Sequence, residues 1–345
     1  MANEIVPLQP EWIPELADFL RTGFQAPAEA AFAAPEVLQW KYFDPDGSNL
    51  TTRSLVAREN GEIIGHVGLC PTTFINNSSC LELPSLHMID WLAPACHAPI
   101  GTMLMLQAFR QAKSQFAIGG SAEGRRVTDR VGYKTIASVA TYGKTLNPNY
   151  SLRLESDSQL WKRPLRLARD YARIFTHRAG NPKLILATKR VPFFGAEIGS
   201  LVNSCKISEI YTIRTPERLN HFLRHPHQQV SGWLLTEFDK IRGFALLNVE
   251  QRGRVRCGKI VDLFLDCPDI DLWQAALCTL TSELRGQKSD FVQCYSTTSW
   301  LNQALERNGY IHQGLRDFHM RDTLQLIAAD STFYLTQLEA DHGYL

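Results

Sequence analysis

The chain states one pattern twice, about 180 residues apart, and this repetition limits its possible folds more than any other feature. The run Ala34-Pro35-Glu36-Val37-Leu38-Gln39-Trp40-Lys41-Tyr42-Phe43-Asp44-Pro45 aligns with Thr215-Pro216-Glu217-Arg218-Leu219-Asn220-His221-Phe222-Leu223-Arg224-His225-Pro226. Pro35 and Pro216, Glu36 and Glu217, Leu38 and Leu219, and Pro45 and Pro226 coincide at a single offset of 181. Downstream, Gly65 answers to Gly243, Ile89-Asp90-Trp91 to Val261-Asp262-Leu263, and VTDRVGY ending at Tyr133 to ALERNGY ending at Tyr310, at offsets of 178, 172 and 177. Offsets that drift by only a few residues indicate a duplicated domain with altered loops, not an array of short repeats.

A length of 345 residues already suggests about two domains, each large enough to bury a core. The composition, 44% apolar and 21% charged with a formal net charge of +1, is that of an ordinary globular chain with no global attraction to nucleic acid or to a membrane. Neither partner is expected, and function must come from a local site. The start, MANEIVPLQPEWIPELADFL, has no basic segment leading into an unbroken apolar core, and no apolar run approaches the ~20 residues of a membrane helix. A cytoplasmic protein, monomeric or homodimeric, is the expectation. Eight scattered cysteines form no CxxC pair and read as buried free thiols. His221, His225 and His227 fall beside Pro226 and read as a solvated helix terminus, so no metal is expected.

Periodicity orders the first half. A strand over residues 4–8 precedes a helix over 11–24, with Ile13, Leu16, Phe19 and Leu20 at helical spacing, and a second helix starts with Pro35 at its first position and ends near Phe43 before Asp44-Pro45-Asp46-Gly47. Strand-like runs follow at 54–58, 63–71 and 86–92, the first two joined at Asn60-Gly61, a strong hairpin signal. A helix reaching Gln115, a strand over 116–121, a helix over 125–131 and a strand over 136–144 close the unit. This order implies an α/β fold built on a mixed, mostly antiparallel twisted sheet with helices on both faces, repeated from Trp233 onward. The expected division is a first domain at 1–148, a helical connector at 149–210, a second domain at 211–322 and a tail at 323–345 read as a docking helix. The stretch LWKRPLRLARDYARIF in the connector is basic and amphipathic. Such a pattern suits a membrane surface or an acidic partner, but a helix packed between the domains is the preferred reading.

The element order, the WKYFDPDG stretch, the IDWLAP strand end running into a glycine-containing turn, and RRVTDRVGY together resemble the GNAT superfamily of acyl-CoA-dependent N-acetyltransferases, over both halves. The resemblance implies a tandem member that uses acetyl-CoA. It places the pyrophosphate at the turn and helix start around His97, Ala98, Ile100, Gly101 and Thr102, and the pantetheine arm along Trp91, Leu92 and Ala93. A helix N-terminus offers free N–H groups and the positive end of its dipole to such an anion. The turn departs from the family pattern, because Pro99 stands at the first glycine position and removes one N–H. The second copy departs further: Asp266-Cys267-Pro268-Asp269-Ile270-Asp271 has no glycine and three carboxylates that would repel a pyrophosphate, so it is read as a degenerate partner.

Acyl transfer to an amine needs a base for the amine, polarisation of the thioester carbonyl and a proton for the departing thiolate. Glu123, beyond the strand FAIGGS, is a candidate base or equally a helix N-cap. His87 is a candidate base or a packed histidine. Asp90 is either catalytic or, because Asp262 repeats it, structural. The tyrosine that the family uses as an acid falls on Thr128 and Leu305, neither of which carries a phenol, which leaves water or Tyr142. The leading reading is an N-acetyltransferase acting on a small-molecule amine through its first domain. Its rivals are a non-catalytic scaffold and a transferase that uses another acyl or aminoacyl donor.

Overall fold

The computed structural model describes residues 4–44, 46, 53–76, 79–154, 163–328 and 330–341. The first unit runs β1 (Glu4–Pro7), α1 (Ile13–Gly23), α2 (Pro35–Tyr42), β2 (Ser54–Glu59), β3 (Glu62–Asn76), β4 (Leu81–Leu92), α3 (Ala98–Ala108), β5 (Ser114–Ile118), α4 (Ala122–Arg130) and β6 (Lys134–Thr145). Local chemistry sets several boundaries. Asn60 and Gly61 adopt φ of 54° and 88°, the left-handed pair that a tight hairpin turn requires. Helix α3 stops at Ala108 instead of reaching Gln115, because Ser114 and Gln115 are taken into β5. Strand β5 ends at Ile118, since Gly119 and Gly120 turn to φ of 83° and 103°. Ser121 then caps α4, its Oγ accepting the Gly124 N–H at 3.0 Å.

Two helices, α5 (Tyr150–Leu154) and α6 (Arg163–Thr176), follow; residues 160–162 of the amphipathic stretch lie outside the described residues. The second unit then runs β7 (Ala187–Val191), α7 (Glu197–Ser204), β8 (Tyr211–Thr212), α8 (Pro216–Leu223), β9 (Gln229–Glu237), β10 (Lys240–Arg252), β11 (Val255–Leu265), α9 (Ile270–Gly286), β12 (Phe291–Ser296), α10 (Ser299–Arg307) and β13 (Ile311–Asp322). Strand β7 pairs with β9 as β1 pairs with β2, and α7 takes the place of α1. The second unit therefore begins inside the segment expected to be a connector. These short elements carry little periodicity, and only the pairing with β9 identifies them.

Among the described residues the strands form one 13-stranded sheet, ordered β1-β2-β3-β4-β5-β13-β6-β12-β11-β10-β9-β7, with β8 paired to β3. The final strands are exchanged. β13 of the second unit pairs with β5 of the first (Phe318 opposite Ile118), and β6 of the first pairs with β12 of the second (Cys294 opposite Tyr142), while β6 and β13 lie side by side. The boundaries 1–148 and 211–322 thus do not separate two bodies, since each unit's sheet is completed by the other's last strand. A shared core follows from the exchange: Phe74, Phe116 and Val139 pack with Tyr295, Phe318 and Phe333.

The repeated helices also meet. Trp40 on α2 and His221 on α8, equivalent positions of the two copies, stack at 4.5 Å between centroids and 7° between planes, and Trp40 Nε1 donates to the His221 carbonyl at 2.9 Å. His225 packs against the same indole at 4.5 Å. His221 and His225 are 2% and 7% exposed, so the expected solvated terminus is an interface, and only His227, which pairs with Glu36 at 2.7 Å, faces solvent. Over its described residues the tail forms no α-helix. Thr332 and Tyr334 bond to Ile210 in extended geometry, followed by one 3-10 turn at Gln337–Glu339; residues 342 and 343 lie outside the described residues. No described helix is long and apolar enough to cross a membrane.

Interlocked strands should unfold together. Denaturant unfolding followed by fluorescence and by circular dichroism should give one coincident transition, and Trp40→Ala should lower its stability by about 3–5 kcal/mol. Two resolved transitions, with only one of them moved by the substitution, would contradict the shared core.

A candidate cleft where two parallel strands diverge

Strands β4 and β5 are parallel and pair only at Ser85–Ser114, Leu86–Gln115 and His87–Phe116. Beyond His87 they separate, and the edge of β4 from Met88 to Trp91 has no strand beside it on that side among the described residues. A bulge forms there: His66 pairs with Leu92 and Gly68 with Ile89, leaving two β4 residues opposite one on β3. Asp90 occupies the bulge at φ 48°, a left-handed conformation that aspartate tolerates better than most residues.

Several groups hold that conformation. Lys41 Nζ lies 2.9 Å from Asp90 Oδ2, and the Tyr42 hydroxyl donates to the same oxygen at 2.7 Å. His66 lies 2.8 Å from the Asp90 carbonyl through Nδ1 and 2.8 Å from Ser54 Oγ through Nε2, which fits a neutral ring donating at Nδ1 and accepting at Nε2. Gly68 gives the tyrosine room, since a Cβ there would collide with its hydroxyl. Burial pushes the Asp90 carboxyl up, but the Lys41 charge and the hydrogen bonds from Lys41 and Tyr42 outweigh it and hold the group below its ordinary range. Burial lowers His66 to about 4; the neighbouring Asp90 opposes that shift and Lys41 adds to it.

The gap between the strands is a cavity of about 210 Å³. Met88, Trp91, Met105, Ile118 and Tyr133 give it an apolar wall, and Asp90, Ser121, Thr128, Arg125, His319 and Asp341 bring polar groups to it. That volume lies below the roughly 300–1,000 Å³ of sites for drug-sized ligands, and it suits a thin chain. Three buried polar atoms on its lining have no hydrogen-bond partner among the described residues: Trp91 Nε1, His319 Nε2 and Asp341 Oδ1. His319 is 4% exposed, with Nδ1 3.2 Å from Thr135 Oγ1.

The expected site residues are distributed unevenly around this cavity. Asp90 and Trp91 line it. His87 is 2% exposed, stacks on Phe116 at 4.7 Å, and approaches the cavity through Asp341, whose Oδ1 lies 3.3 Å from His87 Nε2. Glu123 lies in the first turn of α4 behind the Ser121 cap, so it is not the N-cap; its side chain, like that of Ala98, lies outside the described residues. Tyr142 lies away from the cavity, between β12 and β13, with its hydroxyl donating to Glu306 at 3.2 Å; burial first, then Glu306, pushes it up to about 12. Leu92 packs on Gly23, and Ile100 turns into the sheet core against Gly65. His97 precedes α3 without capping it, and neither it nor Thr102 lines the cavity. Gly101 is needed for close packing: a Cβ there would lie 3.2 Å from Ala93 Cβ and 3.4 Å from the Trp91 ring.

Three contributors escaped sequence reasoning. Lys41 stands between two residues that the repeat singles out, and its position in that repeat was the available signal. His319 and Asp341 come from the second unit's last strand and from the tail, and nothing local to them signals the cavity.

The equivalent opening in the second unit is closed. Pairing of β11 with β12 ends at Ile260–Cys294, and the tail fills the gap beyond. Thr297 Oγ1 donates to the Phe333 carbonyl and accepts the Leu335 N–H, the Tyr334 hydroxyl donates to the Leu263 carbonyl, and the Tyr334 ring packs on Trp300 and Trp273. Asp262 is fully buried with Arg214 and Glu339, the guanidinium lying 3.2 Å and 3.1 Å from their carboxylates. Burial pushes the Asp262 carboxyl up and Glu339 adds to this, while Arg214 opposes it. At the following helix, Asp269 caps α9 by accepting the Asp271 N–H at 2.8 Å. No group of three or more histidine, cysteine or acidic residues among those described could hold a metal ion.

No family model matches the sequence, and no curated protein does. Solved structures do match in fold. A GCN5-related N-acetyltransferase from Anabaena variabilis is 13% identical, with 93% of this chain and 73% of that one covered and a TM-score of 0.60. A conserved protein of unknown function from Enterococcus faecalis V583 is 10% identical, covering 94% and 74% at 0.61. Saccharomyces cerevisiae N-myristoyltransferase with bound myristoyl-CoA is 11% identical, covering 93% and 82% at 0.63. The chain has the GNAT-superfamily fold, and the alignments extend over both of its units.

Two stability measurements test this geometry. Asp90→Ala leaves Lys41 buried without its counter-charge and should lower stability by about 3–5 kcal/mol at pH 7, whereas unchanged stability would disprove the pairing. The folded value of His66 lies below its unfolded value, so protonation favours the unfolded chain. Its contribution is full above about pH 6.5 and is lost as the pH falls toward 4, a change of about 3 kcal/mol that His66→Gln should remove from the pH profile of urea unfolding.

Proposed function

We propose that this chain is an acyltransferase that moves a short acyl group, acetyl in the simplest case, from acyl-CoA to the amine of a small-molecule acceptor. The observation that carries this reading is the contrast between the copies. The divergence of β4 and β5 opens onto a narrow cavity with an unpaired strand edge, and the equivalent opening in the second unit is filled by the chain's own tail. The tandem arrangement is then a duplication in which only the first unit works on substrate.

The residues present fit the donor. An extended arm with amide groups can pair with the free edge of β4 as an added strand would. The indole N–H of Trp91, buried beside Gly101 at the start of α3, is available to an acceptor atom on that arm. The first turn of α3 offers its orphan N–H groups to a pyrophosphate, less the one that Pro99 lacks. Acyl-CoA supplies the activated acyl group as a thioester. Asp341, held beside His87, takes the proton that the amine loses as its nitrogen bonds to the acyl carbon. Thr128 lines the cavity where the resemblance would place a phenol and cannot replace it as an acid. His319 gives its Nε2 proton to the departing sulfur as the carbon–sulfur bond breaks. Asp90, committed to Lys41 and Tyr42, shapes the bulge and is not the base.

Calorimetry with acetyl-CoA should show micromolar binding that Gly101→Asp abolishes, because the new side chain meets Ala93 and Trp91 and sets a carboxylate at the helix start. No binding by the unaltered protein would overturn the reading and favour a scaffold. In turnover, His319→Gln should lower kcat by about 100-fold with acetyl-CoA and far less with an acetyl thioester of a more acidic thiol, whose sulfur leaves without a proton. An equal loss with both donors would remove His319 from the acid role.

A further inference from the structure

Helix α6 exposes a second apolar stripe besides the half-buried Leu167 and Ile174 on its packed side. Its fully buried residue is a carboxylate: Asp170 accepts the backbone N–H and the hydroxyl of Ser151 on α5, each at 2.8 Å. That anchor fixes the rotation of the helix and turns the opposite side outward. Leu165, Tyr171 and Phe175 on that side are 67%, 57% and 68% exposed, and Ala168 and Ala172 lie between them. Positions 165, 168, 172 and 175 repeat at intervals of three and four, so they form one continuous stripe. The packed connector expected from the sequence is therefore corrected in one respect: Leu167 and Ile174 are half-buried on the Asp170 side, but the stripe from Leu165 to Phe175 does not pack on either unit.

Charge identifies what the stripe faces. The helix carries Arg163, Arg166, Arg169 and Arg173 against a single acidic residue, and that residue is the buried Asp170. The Arg169 side chain is 51% exposed, and beyond the helix the Arg178 guanidinium lies 4.3 Å over the Phe175 ring. A second copy of the chain would set like charges against each other, which disfavours self-association through this face. At 14 residues, α6 is too short to span a bilayer but long enough to lie in its interface. We propose that α6 docks this protein on an anionic lipid bilayer, with Leu165, Tyr171 and Phe175 entering the acyl boundary and the arginines meeting the headgroups. The net charge of +1 hides this feature because it averages the helix over the whole chain. The inference is independent of the proposed acyl transfer.

The test is flotation of the full chain with vesicles of phosphatidylcholine alone and of phosphatidylcholine with phosphatidylserine. The protein should float with the anionic vesicles and not with the zwitterionic ones. Phe175→Glu, a change at an exposed position, should reduce its partition at least about tenfold, and Leu165→Ser with Phe175→Ser should do likewise while circular dichroism stays unchanged. Raising the salt to 1 M should release most of the bound protein. No preference for anionic vesicles, or equal partition of the variants, overturns the proposal. So does a dimer in sedimentation that Phe175→Glu dissociates, which would assign the stripe to a second copy.

Discussion

The pairing of β6 with β13 is the interaction on which the rest of the molecule depends. Each is the last strand of its unit, and each passes beyond its partner to pair with the other unit's fifth strand or its equivalent, so two sheets become one. Main-chain hydrogen bonds across this seam cannot form within either half alone. The seam also brings α2 and α8 together, so that Trp40 and His221, one position counted twice, stack on each other. It further delivers His319, a second-unit residue, to the cavity of the first unit.

From this common plan the two copies take opposite electrostatic solutions. In each, a cation near the second helix holds a carboxylate at the fourth strand or its equivalent: Lys41 with Asp90, Arg214 with Asp262. In the first copy the carboxylate borders a cavity, one cation meets one carboxylate, and the group stays ionised. In the second, one guanidinium serves two carboxylates in a fully buried cluster, and Tyr334 with its neighbours occupies the space that remains. The tail therefore has two effects, sealing one opening and placing Asp341 at the other.

The outer surface follows a separate constraint. The carboxylate that orients α6 is satisfied by Ser151 on α5, and satisfying it inside the protein leaves the hydrophobic stripe outside. A buried charge with good partners is stable, but the apolar side of the helix then lies in water until something covers it.

Much of the architecture was legible in the sequence. The repeat showed that one element order occurs twice, the Asn60-Gly61 turn set a hairpin, and the resemblance carried by the WKYF and IDWL stretches pointed to the GNAT fold, because turn chemistry and side-chain periodicity act over a few residues. Asp90 and Trp91, at the end of a strand in a repeated motif, are the two expected site residues that line the cavity. The tail as a plug, the burial of His221 and His225, the placement of His319 and Asp341 at the cavity, and the displacement of Tyr142 from it were not legible. Each depends on which strands become neighbours across more than a hundred residues of chain, and strand pairing at that distance leaves no periodic trace in either partner. The sequence by itself determined many of the elements, which follow from local propensity, and the repetition of their order, which is written in the residues. Only the tertiary structure decided which copy stays open, because that depends on the long-range packing of a tail whose residues are apolar at spacings equally suited to a helix.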